Sequence, residues 1–281
     1  MPRVPRTVMS MALQAGLVMA TPAASWGGAV LMAQRSISLH VDDGGVGGLP
    51  VVFLHSLAGS SAQWSPQLEH LRRSRRALAL DLPGHGKSPA PESFRIPALA
   101  DAVGRALDEL GTDRFVLVGH SAGAAVAIAL AGRRADQVAG LLLLDPVGDQ
   151  RRVPPDDMQP FLESLRSPDY EPTIEAYWGS ILVNADSTVA AAVLRDLRAT
   201  SSETVIGVLE ALLTYDPIAD LGRYEGPVLS VITHLNQAPY SLHNLVDDLP
   251  VIAVDGTSHW PQLDRPAEVN RIIDEFLAAI H

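Results

Sequence analysis

Seven short apolar runs, set apart by helix-like or turn-rich stretches, constrain this chain of 281 residues more than any other feature. They are "SISLHV" at 36–41, "VVFLH" at 51–55, "ALALD" at 77–81, "FVLVGH" at 115–120, "GLLLLD" at 140–145, "VLSVIT" at 228–233 and "VIAVD" at 251–255. Several are apolar at nearly every position, the pattern of strands buried on both faces. Helical patterns lie between several of them, notably at 99–110 and 123–134, and another closes the chain at 267–280. Strand, helix, strand in repetition predicts an α/β fold: a mostly parallel, twisted sheet with helices on both faces.

The interval 146–215 breaks this rhythm. It is proline-rich at its start ("DPVGDQRRVPPDDMQP") and then helical in pattern, with no strong strand. Structureless loops of that length are rare, so an inserted helical cap is expected over 146–215, between core segments 36–145 and 216–281. At the N-terminus, Arg3 and Arg6 precede a short apolar run that ends in small residues around Ala23 and Ala24. This is the layout of a signal peptide over residues 1–24, which predicts a periplasmic or secreted protein. The alternative is translation from Met32 and a cytoplasmic location. No later stretch is long and apolar enough to span a bilayer.

Ser121 stands where the fourth run turns into an Ala-rich helical pattern, inside Gly119-His120-Ser121-Ala122-Gly123. A strand that turns at once into a helix strains its corner residue, and the neighbours two positions away must lack bulk. The hydroxyl then projects beyond the sheet, at the positive end of the following helix. This is the G-x-S-x-G pattern of a nucleophile elbow. His259, one of nine histidines, follows the last apolar run and precedes the closing helix. It therefore lies on a loop at the strands' C-terminal edge, where ligands bind in open α/β sheets. A neutral imidazole there can take the Ser121 proton and return it to a leaving group.

Taken with "VVFLHSLAGSSAQW" (51–64), "ALDLPGHGKS" (79–88) and "VIAVDGTSHWPQLDRPAEVNRIIDEFL" (251–277), the elbow makes the chain resemble the α/β-hydrolase superfamily from about residue 36 onward. The resemblance implies an oxyanion hole built from the amides of Leu57 and Ala122. It also implies shaping roles for His55 and His120 and a turn-fixing role for His85. The family usually has Gly after the first-loop His; here it is Ser56, which can narrow the pocket or add a hydroxyl. The family commonly takes its acid from the loop after "VLSVIT", but the residue there is Asn236, which carries no charge. Asp145, at the end of "GLLLLD", is the expected substitute. Asp149, Asp255 and a Ser–His pair without a carboxylate remain open, and Asp264 is expected to stabilise the start of the last helix.

The expected chemistry is that of a cofactor-free serine hydrolase acting on a small-molecule carboxylic ester or lactone through an acyl-enzyme on Ser121. Met158, Phe161, Tyr170, Tyr177 and Trp178 of the cap are candidates to line an apolar acyl pocket. Two alternatives stay open: a carbon–carbon bond hydrolase or perhydrolase on the same scaffold, and a binding protein that kept the fold and lost turnover. A serine at the elbow argues against epoxide hydrolases and haloalkane dehalogenases, which resemble this fold but attack with Asp. The net charge of −11 argues against a nucleic-acid partner. There is no cysteine, phosphate loop or clustered metal-ligand set, and His234 and His243 read as isolated surface residues. Oligomeric state is not legible in the sequence.

Overall fold

The computed structural model describes residues 39–280. The signal peptide expected over 1–24 lies outside the described residues, as does the first half of the first apolar run. The first described strand, β1 (Val41–Gly44), begins where that run ends. It is followed by β2 (Val51–Leu54), α1 (Ser65–Leu71), β3 (Ala77–Leu80), α2 (Ile96–Glu109), β4 (Phe115–His120), α3 (Ala122–Arg133) and β5 (Val138–Leu144). Helices α4 (Pro155–Leu165), α5 (Tyr170–Ile181), α6 (Ser187–Ala199), α7 (Ser202–Leu212) and α8 (Pro217–Leu221) come next. The chain ends with β6 (Val228–Ile232), α9 (Leu242–Leu245), β7 (Val251–Ala253), α10 (Pro261–Asp264) and α11 (Pro266–Ala279).

The strands form one sheet in the order β1-β3-β2-β4-β5-β6-β7. Among the described strands, only β1 runs antiparallel to its neighbour; the other pairings are parallel. Because side chains alternate across a strand, the apolar runs feed two separate cores. Val52, Leu54, Leu117, Leu141 and Leu143 pack with α2, α3 and α7 on one face. Val51, Phe53, Val116, Val118, Leu142 and Leu144 pack with α1 and α11 on the other. Helix α3 is buried along its length from Ala122 to Ala131, and its alanines let it approach the sheet closely.

Between β5 and β6 the described chain has no strand. The helical patterns of that interval become α6 and α7, each with a side-chain N-cap. Asp186 accepts from the amides of Thr188 (2.7 Å) and Val189 (2.9 Å), and Ser201 accepts from Thr204 (3.2 Å). The proline-rich start is helical too. Helix α4 begins at Pro155, where the missing amide breaks no hydrogen bond, and tolerates Pro160 inside it. Among the described residues, no helix is long and apolar enough to cross a membrane.

Candidate active site

Ser121 is the single-residue corner between β4 and α3, with φ 54° and ψ −117°. A non-glycine residue at such angles is strained and persists only where its surroundings hold it. Here its amide donates to Leu144 O on β5 (3.0 Å), and its carbonyl accepts from the Ala124 amide (2.9 Å). The flanking glycines are a steric necessity. A Cβ on Gly119 would lie 2.6 Å from Gly123 O, and one on Gly123 would lie 2.3 Å from His55 O.

His259 sits between two partners. Its Nε2 is 2.8 Å from Ser121 Oγ, and its Nδ1 is 2.5 Å from Asp145 Oδ2. A carboxylate only accepts, so Nδ1 carries the proton and Nε2 presents its lone pair to the serine hydroxyl. Asp145 follows β5 directly, has φ 41° and is 1% exposed. Its amide donates to Val231 O (2.7 Å). Its Oδ1 accepts from the Thr233 amide and its Oδ2 from the Thr233 hydroxyl, both at 2.8 Å. Burial pushes this carboxyl up, but the hydrogen bond and charge of His259, together with the Thr233 donors, outweigh it and hold the group below the usual carboxylate range.

Asn236, the residue at the family's usual acid position, turns its amide toward the same carboxylate. Its Nδ2 lies 3.4 Å from Asp145 Oδ1 and donates to Pro146 O at 2.8 Å. The other carboxylates considered above stand elsewhere. Asp149 is committed to Arg151 (2.7 Å) and Arg152 (3.1 Å), and Asp255 is exposed. Asp264 departs from its expected role at the last helix. It closes α10 and accepts from the Ser258 amide (2.7 Å) and hydroxyl (2.6 Å), so it braces the loop that carries His259.

Two further contacts hold that loop. His120 Nε2 donates to His259 O (2.6 Å), while its Nδ1 accepts from Gln262 (3.1 Å). Burial, reinforced by the neighbouring His259, pushes the His120 pKa well down, so this ring works as a neutral bridge. The His259 amide donates to Ile181 O at the end of α5 (3.0 Å). A helix between β5 and β6 thus grips the backbone of the histidine.

Leu57 and Ala122 line one small cavity, about 40 Å³, together with Ser121 and His259. Ala122 opens α3, so its amide has no acceptor within the helix. The Leu57 loop is fixed by His55, whose Nε2 accepts from the Leu82 amide (2.9 Å) and whose Nδ1 donates to Ser56 O (2.7 Å). Burial lowers the His55 pKa and keeps the ring neutral. The Ser56 hydroxyl makes long contacts to Leu57 O and Gln63 Oε1, both 3.4 Å. Gln63 in turn donates to Asp196 on α6 (3.1 Å), which joins this loop to the helical insertion. His85 holds a tight turn, with its Nδ1 donating to Pro83 O (3.1 Å).

The remaining walls are Ser56, Val147, Tyr177, Trp178, Ile181, Leu209, Leu212 and Trp260. Tyr177 and Trp178 of the aromatic candidates reach the cavity; Met158, Phe161 and Tyr170 are not part of its lining, though Phe161 packs on Tyr177 (5.3 Å between ring centroids). A larger apolar groove of about 660 Å³ near the start of β6 includes none of Ser121, His259 and Asp145. Among the described residues, no group of three or more His, Asp or Glu is placed to hold a metal ion.

Residues 50–266 match the family model for the alpha/beta hydrolase fold. The chain is 40% identical over 145 residues to Lipase LipV of Mycobacterium tuberculosis, a match covering 50% of this chain and 53% of LipV. It thus spans about half the length of that relative. It is 27% identical over 250 residues to an sn-1-specific diacylglycerol lipase of Mus musculus, covering 81% of this chain and 80% of the mouse protein. Among solved structures, the enol-lactonase from Burkholderia xenovorans superposes with a TM-score of 0.73 at 24% identity, over 85% of this chain and 96% of the other. At that identity the likeness shows the fold alone.

Proposed function

The chain belongs to the alpha/beta hydrolase family, and on that premise we propose that it is a serine hydrolase cleaving a carboxylic ester or lactone through an acyl-enzyme on Ser121. The observation that carries this reading is His259, hydrogen-bonded on one side to Ser121 and on the other to the buried Asp145. Ser121 Oγ attacks the acyl carbon as its proton passes to His259 Nε2. The negative charge of Asp145 stabilises the imidazolium that results. The developing oxyanion is met by the Leu57 and Ala122 amides, each such donor being worth about 3 kcal/mol in the transition state. His259 then protonates the departing alkoxide, which leaves the acyl group on Ser121. Water, deprotonated by the same histidine, releases the acid and restores the serine. The lipase names of two similar proteins support this class of bond.

Labelling with a fluorophosphonate tests the reading. The wild-type protein should be labelled, and the Ser121→Ala and His259→Ala variants should not. An unlabelled wild type, or labelling that survives Ser121→Ala, rejects Ser121 as the nucleophile.

A further inference from the structure

One residue lining the cavity beside Ser121 carries a hydrogen-bond donor that the reaction above does not use. Trp178 lines it, is 2% exposed, and its indole Nε1 is buried without a partner. Buried polar groups are nearly always paired, so an orphan at a cavity wall asks for an acceptor. Several other polar groups of this wall are already engaged. Trp260 Nε1 donates to Gln63 Oε1 (3.3 Å), Ser56 faces Gln63 and Leu57 O, and Ser121 faces His259. Tyr177 is 40% exposed as a residue, although burial of its phenol pushes its pKa up. Trp64 also has an unpaired indole nitrogen, but it packs on Phe53 in the core (4.7 Å between ring centroids) and lines no part of this cavity.

The backbone explains why Trp178 stands there. Ile174, Trp178 and Ile181 share one face of α5, and the carbonyl of Ile181 is tied to the His259 amide. The indole is therefore carried to the nucleophile by the same helical turn that holds the base. An indole N–H can only donate, so its ligand must be an acceptor. The scissile carbonyl is already met by Leu57 and Ala122. The narrow space next to Ser121 suits the part of the substrate that stays on the serine after the alcohol has left.

We propose that Trp178 is a substrate-binding residue whose indole N–H donates to an acceptor oxygen in the acyl group, beyond the scissile carbonyl. The favoured substrates are then esters or lactones whose acyl part carries an ether, hydroxyl or keto oxygen near the carbonyl, in preference to plain alkanoates. This rests on the serine-hydrolase reading and narrows it.

Two esters that differ by one oxygen in place of one methylene provide the test: p-nitrophenyl methoxyacetate and p-nitrophenyl butyrate. The kcat/KM for each, divided by its rate of hydroxide hydrolysis, removes their intrinsic difference in reactivity. Wild type should prefer the methoxyacetate by about tenfold on this scale, the upper range for one neutral hydrogen bond. Trp178→Phe keeps an aromatic ring and removes the donor. It should abolish the preference, bringing the normalised ratio of methoxyacetate to butyrate to about one whatever the change in absolute turnover. A normalised wild-type ratio near one overturns the proposal without any variant, so poor folding of Trp178→Phe would not shelter it. A preference that survives Trp178→Phe also overturns it. If wild type hydrolyses neither ester, the serine-hydrolase reading itself falls, an outcome distinct from a ratio of one.

Discussion

Replacing Asp145 by Asn should cost about 10⁴ in kcat, and the surrounding donors explain why the loss is so large. Oδ1 of Asp145 faces the backbone amide of Thr233, and Oδ2 faces His259 Nδ1 and the Thr233 hydroxyl. A hydroxyl can rotate to become an acceptor; a backbone amide cannot. In the variant, the side-chain oxygen must stay at the Oδ1 position, because an NH₂ there would oppose the Thr233 N–H across 2.8 Å. Such a buried donor–donor contact costs about 1–3 kcal/mol. The NH₂ group is thereby sent to the Oδ2 position, where it donates to His259 Nδ1. The imidazole then holds its proton on Nε2 and cannot accept one from Ser121. The same tautomer reversal lowers turnover about 10⁴-fold in serine proteases, roughly 5.4 kcal/mol of transition-state stabilisation. Asn236→Ala, by contrast, removes only a 3.4 Å contact to Asp145 and one bond to Pro146 O, and should cost less than about tenfold. Steady-state hydrolysis of p-nitrophenyl acetate by both variants, with circular dichroism to verify folding, measures the two effects. A folded Asp145→Asn protein within tenfold of wild type, or a larger loss from Asn236→Ala, would refute this account of the acid.

Two further outcomes follow from the packing and the buried histidines. Gly123→Ala would place a Cβ 2.3 Å from His55 O and 2.6 Å from Leu54 O. It should lower stability by about 1–3 kcal/mol and reduce turnover further by moving the Ala122 amide away from Leu57; an unchanged Tm and kcat would contradict the steric argument. Stability should also fall as pH drops below about 6.5, because the unfolded chain then binds protons that buried His55, His85 and His120 refuse. His85, pushed down to about 3 by burial, alone accounts for about 2 kcal/mol at about pH 5, taking 1.36 kcal/mol per unit. Asp81 and Asp145 do not offset this. Their lowered pKa values contribute stability that persists above the ordinary carboxylate range and is lost only as pH falls through the native values. Urea midpoints that are equal at neutral pH and near pH 5 would show that these rings are not held neutral.

The layout of the core was largely legible because burial on both faces of a strand leaves a contiguous mark. Runs such as "FVLVGH" and "GLLLLD" became β4 and β5 with only small shifts at their ends. The proline-rich start of the insertion was less legible, since Pro155 and Pro160 mask the helical pattern of α4. Tyr177 and Trp178 were readable as candidates for the acyl pocket but could not be told apart from Met158, Phe161 and Tyr170, because that depends on how α5 lies over the sheet. Thr233 was missed as a partner of Asp145. Its one sequence signal was its place directly after β6, at the edge where ligands bind in such sheets.

Ser121 was readable as the elbow from five consecutive residues, because a strand turning into a helix creates its strain and crowding locally. Its relation to a carboxylate could not be read that way. Asp145 and His259 are separated by 114 residues, and Asn236 and Asp145 by 91. Whether their side chains meet depends on where β5, β6 and the His259 loop end in space, to within fractions of an ångström. From the sequence alone, Asn236 was a missing charge and Asp145 the expected substitute, with Asp149 and Asp255 left open because nothing local places any of them beside His259. The convergence of three chain segments set Asp145 beside His259 and turned the Asn236 amide toward it, because hydrogen bonds are fixed by distance and direction in three dimensions.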